Sequence, residues 1–206
     1  MLTPKQNMLE VIKGGNPDRF VNQYEAVQLL FHPFMFTNPL LQPGQENVVN
    51  AWGVTNTFPK GVPGSFPVHT PDKIVVKDIE DWKDYVHAPS LKFTQDQWDM
   101  VKAQYDAVDG EQAFKAAFVA PGLFEQTHHL CEISNALVYY ITNPDEMHDL
   151  IKYLTEWELE LAEGICSNLH PDALFHHDDW GTQKSTFISV DMFREFFMDS
   201  YKRIYG

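Results

Sequence analysis

Leu174-Phe175-His176-His177-Asp178-Asp179-Trp180-Gly181 is the stretch on which the reading of the fold turns. Four ionisable side chains follow the apolar Ala173-Leu174-Phe175, and a glycine ends the run. A buried strand that leaves the core and carries titratable groups at its tip has this pattern. Successive strand residues point to opposite faces, so His176 and Asp178 share one face and His177 and Asp179 the other. A solvated surface loop could be written with the same eight residues, so the rest of the chain has to decide.

Working outward, the order strand, polar tip, helix recurs. Phe20 to Glu25 reads as a short strand ending in polar groups, and Val48 to Val54 as a second. Lys115 to Ala120 is a third, followed by Leu123-Phe124-Glu125-Gln126-Thr127-His128-His129 as its tip. The opening stretch is the fourth. Lys73 to Val76 suggests one further strand. Between them lie helices with recognisable ends. Thr3-Pro4-Lys5-Gln6 and Thr94-Gln95-Asp96-Gln97 are capping boxes, and Gly14-Gly15 stops the first helix. A short helix is expected over Asp78 to Val86, and one from Thr94 towards Gly110. The clearest helix starts at Pro144, with the stripe Met147, Leu150, Ile151, Leu154, Trp157, Leu161 and Ile165. A last helix follows Ser189. Residues 31 to 73, rich in aromatics, Gly and Pro, read as an irregular lid or arm, the arm packing on a neighbouring subunit.

Strands alternating with helical crossovers argue for a parallel sheet covered on both faces, an α/β fold, over a single domain spanning residues 1–206. In such folds the site lies beyond the C-terminal strand ends. That places Tyr24, Glu25, Glu125, His128 and His129 in a substrate-binding set, with Asp178, Asp179 and His177 as the catalytic candidates. Trp52 lies in the strand near 48 and joins the binding set, although a tryptophan there also suits the core. His32, His69, His87 and His170 read as loop residues.

Composition excludes several classes. Fifteen basic residues face 29 acidic ones, and the arginines are Arg19, Arg194 and Arg203. A net charge of -14 repels nucleic-acid phosphates and anionic lipid. No run approaches the ~20 apolar residues of a membrane span, and no signal peptide is visible. Cys131 and Cys166, 35 positions apart, read as free thiols of a reducing cytoplasm, the expected location of the protein.

Pro17-Asp18-Arg19-Phe20, Pro121-Gly122-Leu123-Phe124-Glu125, and Asp178-Asp179-Trp180-Gly181 through Phe193-Arg194-Glu195-Phe196 resemble the uroporphyrinogen decarboxylase family. The branch most similar contains corrinoid-dependent methyltransferases, including those of O-demethylase systems. The resemblance runs over most of residues 4 to 205 and implies a TIM (β/α)8 barrel with its site at the C-terminal mouth. A full barrel takes about 250 residues, so the resemblance makes residues 1–206 roughly its first four β/α units. The rest would come from further chain or from a partner. Open strand edges then predict a homo-oligomer or a complementing second half-barrel.

The family's decarboxylases carry an arginine-rich stretch at the first strand end, where this chain has Asn22-Gln23-Tyr24-Glu25. Tetrapyrrole decarboxylation, the alternative activity, would therefore need a polyanion to bind against like charge. The resemblance favours methyl transfer between a corrinoid (methylcobalamin) presented by a corrinoid protein and an acceptor such as tetrahydrofolate or a thiol. In it, Asp178 and Asp179 would handle the proton, with His177 as relay. Thiol-using relatives bind zinc through residues of the second half. Cys131 and Cys166 offer no CxxC or CxH spacing, and no metal is assigned. Metal-assisted hydrolysis with His128, His129, His176, His177, Asp178 and Asp179 as ligands is disfavoured, because adjacent strand histidines diverge. A barrel portion that binds a corrinoid protein or sister subunit without turnover is the non-enzymatic alternative.

Overall fold

The computed structural model of the protein describes residues 1–38 and 40–206. Its elements run α1 (Pro4–Lys13), α2 (Gln23–Ala26), β1 (Val27–Leu30), α3 (Phe34–Thr37), β2 (Gln45–Val49), β3 (Thr55–Phe58), β4 (Phe66–Pro67) and α4 (Trp82–Tyr85). There follow α5 (Gln95–Asp106), β5 (Phe114–Val119), α6 (Leu123–Cys131), α7 (Ile133–Thr142), α8 (Pro144–Leu169), β6 (Ala173–His176), α9 (Val190–Phe196) and α10 (Met198–Tyr205). They form two compact units. One takes Met1–Pro33, Lys92–Ala120 and Ala162–His177; the other takes Phe34–Leu91, Pro121–Leu161 and Asp178–Gly206.

The first unit holds a three-stranded parallel sheet in the order β1-β5-β6. Leu30 pairs with Ala117, Ala117 with Leu174 and Val119 with His176. One face is an aromatic row: Phe118 lies 6.4 Å from Phe31 and 5.9 Å from Phe175 between ring centroids. Ala117 and Val119 alternate to the other face and are buried. The His177 N–H donates to the Val119 carbonyl at 2.8 Å, so the ladder runs one residue past His176. The opening stretch is thus a strand end, as its pattern indicates. Both capping boxes form, at Thr3 and at Thr94, and Gly14 closes α1 in the left-handed conformation at φ 67°.

The strand expected at Phe20–Glu25 lies later, at Val27–Leu30. The Asn22 side chain accepts the Tyr24 N–H at 3.0 Å and starts the one-turn helix α2, which removes those residues from the sheet. Three parallel strands stand among the described residues, against the four expected. The strand read at Val48–Val54 is instead the end of β2 and the turn that leads into β3. There the Asn50 side chain accepts N–H groups from Trp52 and Val54, and Gly53 takes φ 80°. Residues 31–73 therefore carry an antiparallel sheet, order β2-β3-β4. Lys73–Val76 forms no strand; the Val76 N–H is satisfied by the Leu130 carbonyl. The helix expected over Asp78–Val86 contracts to α4, and the last helix breaks at Phe197 into α9 and α10.

The second unit is built on one apolar core that includes Trp52, Val54, Ile79, Trp82, Phe124, Leu130, Met147, Leu150, Ile151, Leu154 and Phe197. The stripe read on α8 buries as expected, with Trp157 partly covered. Each fully buried leucine or isoleucine stabilises the fold by about 1.5–3 kcal/mol. Trp157 packs edge-on against Trp52 and Phe34 at 4.9 and 5.0 Å, and its indole N–H donates to the Pro89 carbonyl at 2.8 Å. Cys131 and Cys166 are free thiols, and burial pushes the Cys131 thiol up to about 12.

His32 follows β1 and is 1% exposed, its Nε2 3.0 Å from the Phe118 carbonyl oxygen. Burial lowers its pKa to about 4, against a partial opposing effect of that carbonyl. Between pH 4 and the ordinary histidine value the unfolded chain binds the extra proton, so stability falls as pH falls through that window. Urea midpoints measured from pH 7 down to 4 should decrease, and His32→Gln should flatten the slope. An unchanged slope in the variant would show that this imidazole stays out of the linkage.

Candidate functional site

A helix begins with N–H groups that have no partner inside it, and they must find acceptors elsewhere. Pro121-Gly122 precedes α6 and supplies no capping side chain. Asp178 fills the gap from the other side of the sequence. Its carboxylate accepts the Glu125 N–H at 2.7 Å and the Phe124 N–H at 3.1 Å. The Tyr201 hydroxyl donates to the same carboxylate and accepts the Leu123 N–H at 3.2 Å. A negative charge also suits the positive end of the helix dipole. Burial first, and the adjacent Asp178 charge second, push the Tyr201 phenol well above its ordinary value, so it stays protonated and donates.

The close approach requires glycine. A Cβ on Gly122 would lie 2.5 Å from both Cβ and Cγ of Asp178. Two residues after Asp178, the Trp180 ring stacks on Phe124 at 5.1 Å and 18° and meets Phe193 and Phe197 edge-on at 5.0 Å each. Asp178 therefore precedes, by two residues, a tryptophan packed into an aromatic cluster.

Further along α6, His128 stands against Phe124 at 5.4 Å and His129 at 4.9 Å between ring centroids. Its Nε2 is buried and has no hydrogen-bond partner among the described residues. Burial, reinforced by His69, lowers its pKa to about 4, with Asp179 and Glu132 opposing. The imidazole is neutral at pH 7. His69 sits beside it, its Nε2 3.0 Å from the His129 carbonyl oxygen. His129 Nε2 lies 3.7 Å from Glu125 Oε1. Asp179 is exposed and accepts the Gly181 N–H at 3.4 Å.

Asp178, Asp179, Glu125, His128 and His129 thus gather around α6, a helix where a strand tip was expected. Tyr24 and Glu25 do not join them. They precede β1, at the end opposite the expected tip, where Tyr24 is largely exposed and Glu25 pairs with Arg19 at 2.8 Å. Trp52 is a core residue of the second unit. His177 belongs to the first unit and is exposed, its ring 6.4 Å from Phe118. Sequence reasoning missed Gly122, His69, Glu132 and Tyr201. Tyr201 reads as one more apolar residue of the last helix, whereas the glycine before a helix with no capping residue is a signal that a remote cap must exist. No group of three or more His, Cys, Asp or Glu is placed to hold a metal ion among the described residues. None of the described helices is long and apolar enough to cross a membrane.

Gly122→Ala should destabilise by about 1–3 kcal/mol through overpacking. Asp178→Ala should cost about 1–3 kcal/mol for each helix N–H left buried without an acceptor. Urea unfolding checks both, and a neutral Gly122→Ala would mean that the backbone there yields freely.

No family model matches the chain, and no curated protein matches it. Among solved structures the chain is similar to a methyltransferase from Methanosarcina mazei, at a TM-score of 0.59 and 15% identity. The match covers 99% of this chain and 66% of that one. At this identity the likeness is one of fold, and the chain spans 66% of the length of that neighbour.

Proposed function

We propose that the chain belongs to a methyltransferase of TIM-barrel type that moves a methyl group between a corrinoid carried by a partner protein and a small acceptor, tetrahydrofolate or a thiol. The observation that carries this reading is the fold likeness to a methyltransferase over 99% of the chain. Fold by itself does not dictate chemistry, so the residues around α6 have to be able to serve it.

Methyl transfer is catalysed largely by holding donor and acceptor in line. The chemical demand left to side chains is the proton, because a thiol S–H or a pterin N–H must lose it as the methyl arrives. We assign that proton to Asp179, the exposed carboxylate of the group. His128 is neutral at pH 7 and has an unoccupied ring nitrogen. It accepts a hydrogen bond from the acceptor, and orients it, once the side chains that bury Nε2 open to admit that molecule. Asp178 is a positioning residue here, its oxygens held by α6 and Tyr201, so that it fixes where Asp179 begins. Decarboxylation of a polycarboxylate tetrapyrrole fits less well, because the net charge of -14 opposes a polyanion.

The test is a methylcobalamin assay with tetrahydrofolate and with simple thiols, run on the chain together with any further portion of its barrel. Methylated acceptor is expected, and Asp179→Asn should lower kcat by about 10²–10⁴ if the carboxylate takes the proton. His128→Phe should raise KM more than it lowers kcat. Absence of product with both acceptors, or an Asp179→Asn enzyme of full activity, would sink this assignment.

A further inference from the structure

We propose that Trp180, Tyr201 and Tyr205 form a path for single-electron transfer, which carries an oxidising equivalent from the aromatic cluster of the second unit to its surface. Asp178 serves this path as the proton acceptor of its middle member. Three observations converge on it. The first is contact. The Trp180 ring centroid lies 6.0 Å from that of Tyr201, and Tyr201 lies 5.8 Å from Tyr205 with 6° between the ring planes. The other rings packed on Trp180 are Phe124, Phe193 and Phe197, which are far harder to oxidise. An electron vacancy formed in the cluster therefore rests on an indole or a phenol.

The second is the proton. A phenol that loses an electron becomes a strong acid, so it gives up that electron readily only where a base takes the proton. The Tyr201 hydroxyl already donates to the Asp178 carboxylate. Tyr140, a second phenol beside the cluster, stacks on Phe124 and shares its hydrogen bond with the Thr127 hydroxyl, a far weaker base than a carboxylate. Transfer from Trp180 thus runs towards Tyr201. Burial first, then Asp178 and Glu158, raise the Tyr201 phenol above its ordinary value, and burial, Glu158 and Asp178 raise Tyr205. Negative charge that close to both rings also favours a positive vacancy on them. The third observation is the exit. Tyr205 is 50% exposed, whereas Trp180 and Tyr201 are partly buried.

The oxidant is an oxygen-centred radical, which takes one electron from Trp180, becomes an anion and leaves an indole radical cation. Tyr201 returns an electron to the indole as its phenol proton passes to Asp178. Tyr205 then reduces the Tyr201 phenoxyl radical, which recovers its proton from Asp178, while the Tyr205 proton goes to water. A thiol in solution gives a hydrogen atom to the Tyr205 phenoxyl radical and ends as a thiyl radical. One electron has moved from thiol to oxidant, and every side chain is as it was. The chain thereby discharges an oxidant without losing the tryptophan that packs on Phe124.

Pulse radiolysis of the 206-residue chain with azide radicals, which oxidise indoles before phenols, tests this. In the wild-type chain the indole-radical absorbance should decay into phenoxyl absorbance, at a rate independent of protein concentration and slower in heavy water. A nitroso spin trap should be found on Tyr205 by peptide mass spectrometry. Tyr201→Phe and, separately, Trp180→Phe should abolish that adduct although Tyr205 itself is untouched, with circular dichroism checking that each variant is folded. An adduct on Tyr205 that survives both substitutions would mean direct attack on an exposed phenol and overturn the proposal. So would wild-type indole decay without phenoxyl growth, or transfer at the same rate in light and heavy water, two readings that need no variant.

Discussion

The carboxylate of Asp178 is the fixed point of the second unit. The first four N–H groups of α6 are satisfied by Tyr201, by Asp178 twice, and by the Gly122 carbonyl. Three of these four bonds join residues more than fifty positions apart. Local sequence cannot start this helix. It begins where it does because a distant segment comes back to cap it. That is a constraint in both directions, because the same contact determines where the chain after Asp178 must run. Trp180 consequently lands on Phe124, and the rings of Phe193 and Phe197 close over it.

Polar bonds beside an aromatic cluster are held to a narrow geometry. Each donor or acceptor lost there is half-buried, and water replaces the partner only in part. A second such link lies further along α6. The Thr127 hydroxyl shares a 2.6 Å hydrogen bond with the Tyr140 hydroxyl, and both side chains are buried. The helix is thus gripped at its start by Asp178 and Tyr201, and in its middle by α7. His128, between those two anchors and the Glu132 junction, inherits a fixed position without any hydrogen bond to its Nε2. Its Nε2 is thus a buried, unpartnered nitrogen on a helix anchored at its start and in its middle.

What the sequence disclosed follows the range of the interactions. The capping boxes at Thr3 and Thr94 rest on contacts within a few residues, the stripe of α8 and the strand at Ala173–His176 show in a local apolar pattern, and all of them form. The Phe20–Glu25 strand failed because Asn22 offers a local cap that the strand pattern ignores. The Val48–Val54 strand failed because Asn50 folds two N–H groups onto its own side chain and turns the chain between β2 and β3. Leu123 to His129 reads as a tip for a related reason. An α6 with no capping residue of its own carries no helix start that local rules can see. Of the candidate site, the acidic pair and the two histidines of α6 were legible as residues, while their grouping around one helix was not. The grouping depends on Asp178 reaching α6, which is a tertiary contact. Tyr24 and Glu25 went astray with the strand they were attached to.

The two adjacent aspartates can now be given separate parts. Side chains of consecutive residues in an extended segment diverge, so one carboxylate committed to the α6 N-terminus leaves the next one facing elsewhere. Asp178 takes helix N–H groups and a phenol, and no oxygen of a substrate could displace them without uncapping α6. Asp179 spends one weak contact on the Gly181 N–H and remains exposed, with its charge close enough to favour protonation of His128. A burial-neutralised imidazole thus stands beside an exposed carboxylate. In the methyl transfer proposed above, one group would hold the acceptor molecule while the other takes its proton, and the Asp178 cap is what fixes the start of the segment that carries Asp179.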